Sequence, residues 1–139
     1  MEKILISRCL LGENCTYRGD SNFCEKVVAL GEQYKIITVC PEADGGLPIP
    51  RDPAERKHDK VISKTGKDVT AEYTKGAEIA LEKALTNNVK LAVMKARSPS
   101  CGSGIIYDGT FTGTRISGDG VTAELLKKHG IRVITEEEI

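Results

Sequence analysis

Aromatic residues are scarce in this sequence: two Phe, four Tyr and no Trp among 139 residues. Proteins that hold single strands of nucleic acid stack bases on aromatic rings, so that class is disfavoured. An excess of either charge is also missing. Twenty Lys and Arg balance twenty Asp and Glu, for a net charge of zero. A duplex-binding or membrane-surface protein would carry a basic footprint, and the totals hold none. No run approaches the roughly 20 apolar residues of a membrane span. The start, MEKILISRCLLGENC, is too short in its apolar part for a signal peptide. There are only two His, and no two of the five Cys stand at C-x-x-C spacing. That removes the usual ligand pattern of a structural zinc site. These absences describe a cytoplasmic protein that acts on small molecules, with no membrane and no nucleic acid as partner.

What is present is ordinary globular composition, 40% hydrophobic and 29% charged. The length suits one domain over residues 1–139. Four short apolar runs, Lys3–Ser7, Lys35–Cys40, Val89–Lys95 and Ile131–Thr135, are rich in Ile and Val and mostly continuous. Continuous rather than alternating runs suit strands covered on both faces, as in a parallel sheet. Helical spacing lies between them. Residues 21–33 place Phe23, Val27 and Leu30 on one face. Residues 68–88 place Tyr73, Ala77, Ala80, Leu81, Ala84 and Leu85 on one face, with Asp68 or Thr70 as cap and Asn87 or Asn88 in the left-handed position at the end. Residues 118–131 place Val121, Leu125 and Leu126 together. Strands alternating with helices imply right-handed crossovers. The expected fold is α/β: a single compact Rossmann-like domain with a small, mostly parallel four-stranded sheet flanked by helices. Two long segments interrupt it. Residues 40–67 hold four of the five Pro, and residues 97–120 are rich in Gly, Ser and Thr and contain a candidate β-hairpin. Long irregular segments in a small domain are usually functional.

Open parallel sheets bind ligands beyond the carboxyl ends of their strands. Cys9 stands two residues past the first apolar run, Cys40 ends the second, and Cys101 stands six residues past the third. Three cysteines remote in sequence should therefore meet at one sheet edge. Cys15, in the loop that follows Cys9, can join them. A free Cys is often just a small buried hydrophobe, and that reading suits Cys24, inside the first helical pattern. It suits three together at one edge much less well. In a reducing compartment such thiols point to metal binding or catalysis rather than to disulfides. An iron–sulfur cluster tolerates scattered thiolates. With three of them, one iron of a cubane stays open and can act as a Lewis acid.

The neighbours extend this reading. Glu42, two residues after Cys40, can serve as a general base. Ser98, Ser100 and Ser103 offer hydroxyls around Cys101, while Gly102 and Gly104 expose backbone N–H groups able to hold an anion or cluster sulfurs. Arg8, Arg18, Arg51, Lys95 and Arg97 fall in the same segments and can offset a thiolate-rich site.

The stretches CLLGENCTYRG, VCPEADGGLPIPRDPAE, GKDVT, KARSPSCGSGIIYDGTFTGT and GDGVTAELLKKHGI, in that order and over nearly the whole chain, resemble the domain of unknown function 523 family, which is associated with 2-thiouracil desulfidase. The resemblance implies a compact α/β domain with an oxygen-sensitive [4Fe-4S] cluster on three cysteines. It implies a non-redox reaction in which water replaces the sulfur of a thiocarbonyl such as 2-thiouracil, giving uracil and sulfide. Carried onto this sequence, the ligands are Cys9, Cys40 and Cys101, with Cys15 as the alternative ligand. Glu42 activates water. Ser98 positions or protonates the substrate, with Ser100 as its alternative. A non-catalytic iron–sulfur or zinc module for redox sensing or sulfur carriage is the competing reading, and a metal-free Cys9–Cys15 redox pair is a third.

Overall fold

The computed structural model describes all 139 residues, Met1–Ile139. In chain order its elements are β1 (Lys3–Ser7), α1 (Glu25–Val28), β2 (Lys35–Val39), α2 (Pro41–Asp44), β3 (Ala54–Lys57), β4 (Lys60–Ser63), α3 (Thr70–Thr86), β5 (Leu91–Met94), β6 (Ile105–Tyr107), β7 (Arg115–Ser117), α4 (Val121–Lys128) and β8 (Arg132–Thr135). Short 3-10 turns occupy Arg8–Leu11, Ala29–Glu32 and Glu136–Glu138. The main sheet has the order β2-β1-β5-β8 and is parallel throughout. Ser7 pairs with Val39 and Met94 with Thr135, so the strands finish nearly level and their carboxyl ends form one edge.

The continuous apolar runs follow from burial on both faces. Ile4, Ile6 and Val93 point to one side, where they meet Leu10 and Val27 of α1. Leu5, Ala92, Met94 and Val133 point to the other, against Ala80 and Ala84 of α3 and Ala123 and Leu126 of α4. Complete burial of side chains such as Leu5 or Leu126 contributes about 2 kcal/mol each. These two layers hold the sheet edge rigid beneath the loops that carry the cysteines.

Three expectations from the sequence change in the fold. The pattern over 21–33 yields only the single turn of α1 and a 3-10 turn, because Cys24 is extended (φ −133°, ψ 109°) and stands before the helix. Phe23 is consequently outside the helix and 61% exposed. In α3 the buried stripe is Tyr73, Gly76, Ala77, Ala80 and Ala84, and Leu85 is exposed. Small residues dominate that stripe because α3 lies hard against α2. A Cβ on Gly76 would stand 1.9 Å from the Pro41 carbonyl oxygen, and one on Gly45 would stand 2.1 Å from the Glu72 carbonyl oxygen. The segment 40–67 is not irregular either. It contains α2 and the antiparallel hairpin β3–β4, closed at His58–Asp59. The β-hairpin expected within 97–120 forms as β6–β7. Asn88 takes the left-handed conformation expected at the end of α3, with φ 55°.

Candidate active site

The loops leaving β1, β2 and β5 enclose a cavity of about 500 Å³ at the carboxyl edge of the sheet. Cys9, Cys15, Cys40 and Cys101 all line it, as do Glu42 and Ser98. Cys15, Cys40 and Cys101 are buried and Cys9 is half-buried. Cys24 does not line the cavity. It packs on the α1 side of the sheet, as its bland reading anticipates. His58 and His129 stand apart from the cavity as well. The exposed ring of His129 meets the Leu125 carbonyl at the end of α4.

Each thiol loop is tied to its neighbours. The Arg8 guanidinium bonds Asp44 at 3.0 Å, and the other Asp44 oxygen accepts the Cys40 N–H at 3.1 Å. One ion pair thereby couples the Cys9 loop to the Cys40 loop. The Ser7 hydroxyl oxygen, at the end of β1, accepts the Lys95 N–H at 3.0 Å, which couples the first loop to the third. That third loop is also held from the far edge. Glu136 accepts the Ala96 N–H at 2.7 Å, and Arg97, with a left-handed backbone, forks onto Glu137 at 2.7 and 3.0 Å. Bidentate Arg–carboxylate pairs add geometric specificity to their energy.

The thiols differ electrically. Cys40 is brought down to about 7, first by a hydrogen bond from the Cys15 thiol and further by the Ala43 N–H and Arg51, against the effect of burial. Cys9 is lowered, again chiefly by Cys15, with help from the Asn22 amide. Cys15 is pushed up, chiefly by its hydrogen bond with Cys40 and then by that with Cys9, with burial adding to it. Burial pushes Cys101 up. Cys15 therefore stands between two thiols that favour the thiolate, the form that binds metal.

Glu42 reaches the cavity from α2, where Pro41 occupies the first helical turn. Proline suits that position, since its missing N–H has no helical partner there. One carboxylate oxygen of Glu42 accepts from the Tyr73 hydroxyl at 2.7 Å and from Arg51 Nε at 3.2 Å. The other faces the Ser98 hydroxyl at 3.4 Å. Ser98 Oγ itself accepts the N–H groups of Ser100 at 3.1 Å and Cys101 at 3.0 Å. Its lone pairs are occupied and its proton points at Glu42. That is the arrangement of a proton donor or relay, not of a nucleophile.

Ser100 does not share this role. Its side chain is fully buried, lies outside the cavity lining, and shares a 2.7 Å hydrogen bond with the buried Thr122 hydroxyl of α4. The sequence offered two equivalent serines, and the tight turn from Ser98 to Gly102 separates them, aiming one into the cavity and one into the core. Ser100→Ala is expected to lower stability by about 1–3 kcal/mol, the cost of an unpartnered buried hydroxyl. The folded variant should keep its catalytic rate. Chemical denaturation alongside a turnover assay checks both.

Tyr73 and Arg51 were not legible as a pair. Tyr73 falls on the apolar face of a helix and reads as core. Arg51 reads as one of several loop cations. Only the unusual polar end of an otherwise buried Tyr hinted at a partner.

The donor set fits an iron–sulfur cluster better than a lone metal ion. No three of the Cys, His, Asp and Glu side chains are close enough to converge on one ion. Zinc demands that convergence. A cubane spreads its thiolates over separate corners, and separate thiols on one cavity wall answer that need. The Gly102 and Gly104 N–H groups, expected to face the site, are instead bonded to the Ser98 carbonyl at 2.9 Å and the Asp119 carboxylate at 2.8 Å.

Fold and site together define a parallel α/β protein whose carboxyl sheet edge gathers four thiols and a carboxylate around one cavity. Comparison with known sequences agrees: the family model described as 2-thiouracil desulfurase matches residues 4–138. The chain belongs to the 2-thiouracil desulfurase family. It is similar to a [4Fe-4S]-dependent thiouracil desulfidase, TudS, of solved structure, with 45% identity and a TM-score of 0.94, covering 100% of this chain and 93% of that one. It is also 43% identical over 146 residues to the uncharacterized protein YbbK of Bacillus subtilis strain 168, covering 98% of this chain and 97% of the relative.

Proposed function

We propose that this protein is a [4Fe-4S]-dependent desulfidase that converts a small thiolated pyrimidine, such as 2-thiouracil, to the oxo compound and sulfide. The whole chain, 1–139, acts as one catalytic domain. The observation that carries the reading is the placement of Glu42 and Ser98 on the same cavity as Cys9, Cys40 and Cys101. Those three cysteines are the ligands in this reading. Cys15, which lines the same cavity, is the alternative ligand. No helix is long and apolar enough to cross a membrane, which suits a cytoplasmic enzyme with a small-molecule substrate.

When bound, the cluster supplies an open iron, a soft Lewis acid for a thiocarbonyl sulfur. The chain supplies the rest. The cavity, about 500 Å³, has room for a pyrimidine-sized ligand beside the thiols. The free oxygen of Glu42 takes a proton from a water molecule as that water attacks the thiocarbonyl carbon. Ser98 hands a proton to the substrate and recovers one from Glu42. The carbon–sulfur bond breaks, the sulfur leaves as sulfide, and a carbon–oxygen double bond takes its place. Water in and hydrogen sulfide out balance the reaction, and no electrons are consumed.

Glu42→Gln keeps the size of the side chain and removes the base. It is expected to lower thiouracil turnover by about 10²–10⁴-fold, the usual worth of a positioned general base. Iron and sulfide content should stay at the wild-type level. An anaerobic assay with the metal content of each sample quantified checks this. Turnover unchanged in Glu42→Gln, with the cluster present, would remove Glu42 as the base, whereas cluster-loaded wild-type protein without turnover favours a binding or sensing module instead.

A further inference from the structure

The geometry points to Tyr73 and Arg51 as positioning residues that assign the two oxygens of Glu42 to different tasks. This rests on the desulfidase reading and extends it to residues remote from the thiols in sequence. The terminal torsion of a Glu side chain is broad, so an unrestrained carboxylate samples many orientations of its plane. Here the two oxygens are not equivalent. Oε1 accepts from Tyr73 at 2.7 Å and from Arg51 Nε at 3.2 Å. Oε2 alone faces Ser98.

Both donors are fixed. The Tyr73 residue is 1% exposed and the Arg51 side chain 6% exposed. All three Arg51 side-chain nitrogens hold protein acceptors: Nε the Glu42 carboxylate, Nη1 the Pro48 carbonyl at 3.1 Å, and Nη2 the Cys15 carbonyl at 2.9 Å. Arg51 is therefore not a free cation awaiting an anionic substrate group. Tyr73 is carried by α3, and Gly76, one turn further on, lets that helix touch Pro41 next to Glu42. The single hydroxyl proton of Tyr73 is committed to Oε1 and does not reach a substrate. Twisting the carboxylate out of its plane would break both bonds and leave two buried donors to find new partners, a cost that keeps one oxygen on those donors and the other toward the cavity. Oε2 is thus the oxygen that meets water, and the Arg51–Cys15 contact ties its position to the thiol loop.

The test is a double-mutant cycle between Tyr73→Phe and Glu42→Gln in anaerobically reconstituted enzyme, with crystal structures of the single variants. Tyr73→Phe is expected to lower kcat about tenfold, as loss of an orienting outer partner commonly does. KM and iron content should stay at wild-type values. In the Glu42→Gln background the same change should have no further effect, because Tyr73 acts only through Glu42. The Tyr73→Phe crystal structure should show the carboxylate rotated or in two orientations. Equal effects in both backgrounds, or an unmoved carboxylate with kcat unchanged, would overturn the inference. If Tyr73→Phe does not fold, Arg51→Lys enters the same cycle with the same expected outcomes. Inactive wild-type enzyme with full iron content would refute the desulfidase reading. The carboxylate orientation in the variant structures would then decide this inference by itself.

Discussion

Cys40→Ala is expected to prevent cluster assembly and to bring thiouracil turnover to background while leaving the fold intact. Cys40 and its neighbours explain both halves. Its sulfur meets the cavity and the Cys15 carbonyl at 3.7 Å, and it belongs to none of the three apolar clusters of the core. Removing it deletes few packing contacts. Of the four thiols it is the one drawn down to about 7, chiefly by its hydrogen bond with Cys15. Cys9→Ala should behave alike. Cys101→Ala should lose the cluster and also some stability, since Cys101 packs with Leu5, Met94 and Leu126 in the larger core cluster. Cys15→Ala separates the ligand sets. It should retain the full cluster if Cys9, Cys40 and Cys101 are the ligands, and lose it if Cys15 is one of them. Iron and sulfide analysis of four anaerobically reconstituted variants, with circular dichroism on each, reads the outcome.

The second large effect comes from a residue with no functional group. Gly76→Ala improves helix propensity by about 1 kcal/mol. Against that, the new methyl group would sit 1.9 Å from the Pro41 carbonyl oxygen and 2.6 Å from its carbonyl carbon. Backbone on both sides leaves no flexible side chain to yield. Overpacking of this kind costs about 1–3 kcal/mol or more, so the steric term exceeds the propensity gain. Relief by moving α3 away from α2 would draw Tyr73 off Glu42. Misplacement by about 1 Å can cost a hundredfold in rate. Gly76→Ala should therefore lower both the denaturation midpoint and kcat, with iron content preserved. A stabilised variant with normal kcat would mean that α2 and α3 are not in contact through this glycine.

Much of the frame was readable from residue pattern. Continuous Ile- and Val-rich runs signalled a doubly covered parallel sheet, and the four strands fall where those runs lie, within a residue or two of the expected ends. The convergence of Cys9, Cys40 and Cys101 followed from their positions just beyond three strand ends, because a parallel sheet sends all those ends to one side. What was not legible had physical causes. The β3–β4 hairpin is built from AERK and KVIS, where charge masks the alternation. The buried stripe of α3 runs through Gly76 and Ala77, because closeness to α2 and not side-chain bulk sets it, so Leu85 misled. Ser98 and Ser100 were indistinguishable in sequence. Only the turn that places Gly102 N–H on the Ser98 carbonyl, at 2.9 Å, orients them oppositely. The partnership of Tyr73 with Glu42 spans 31 residues and carries no local signal.

The central claim is that thiolate-bound iron and the Glu42 carboxylate act on one substrate in one cavity. It is tested most directly by anaerobic reconstitution to graded iron content, with absorption and electron paramagnetic resonance spectra recorded and thiouracil turnover measured on the same samples. The account predicts turnover in proportion to intact [4Fe-4S] cluster, falling to background without it. Full turnover in iron-free protein would contradict it.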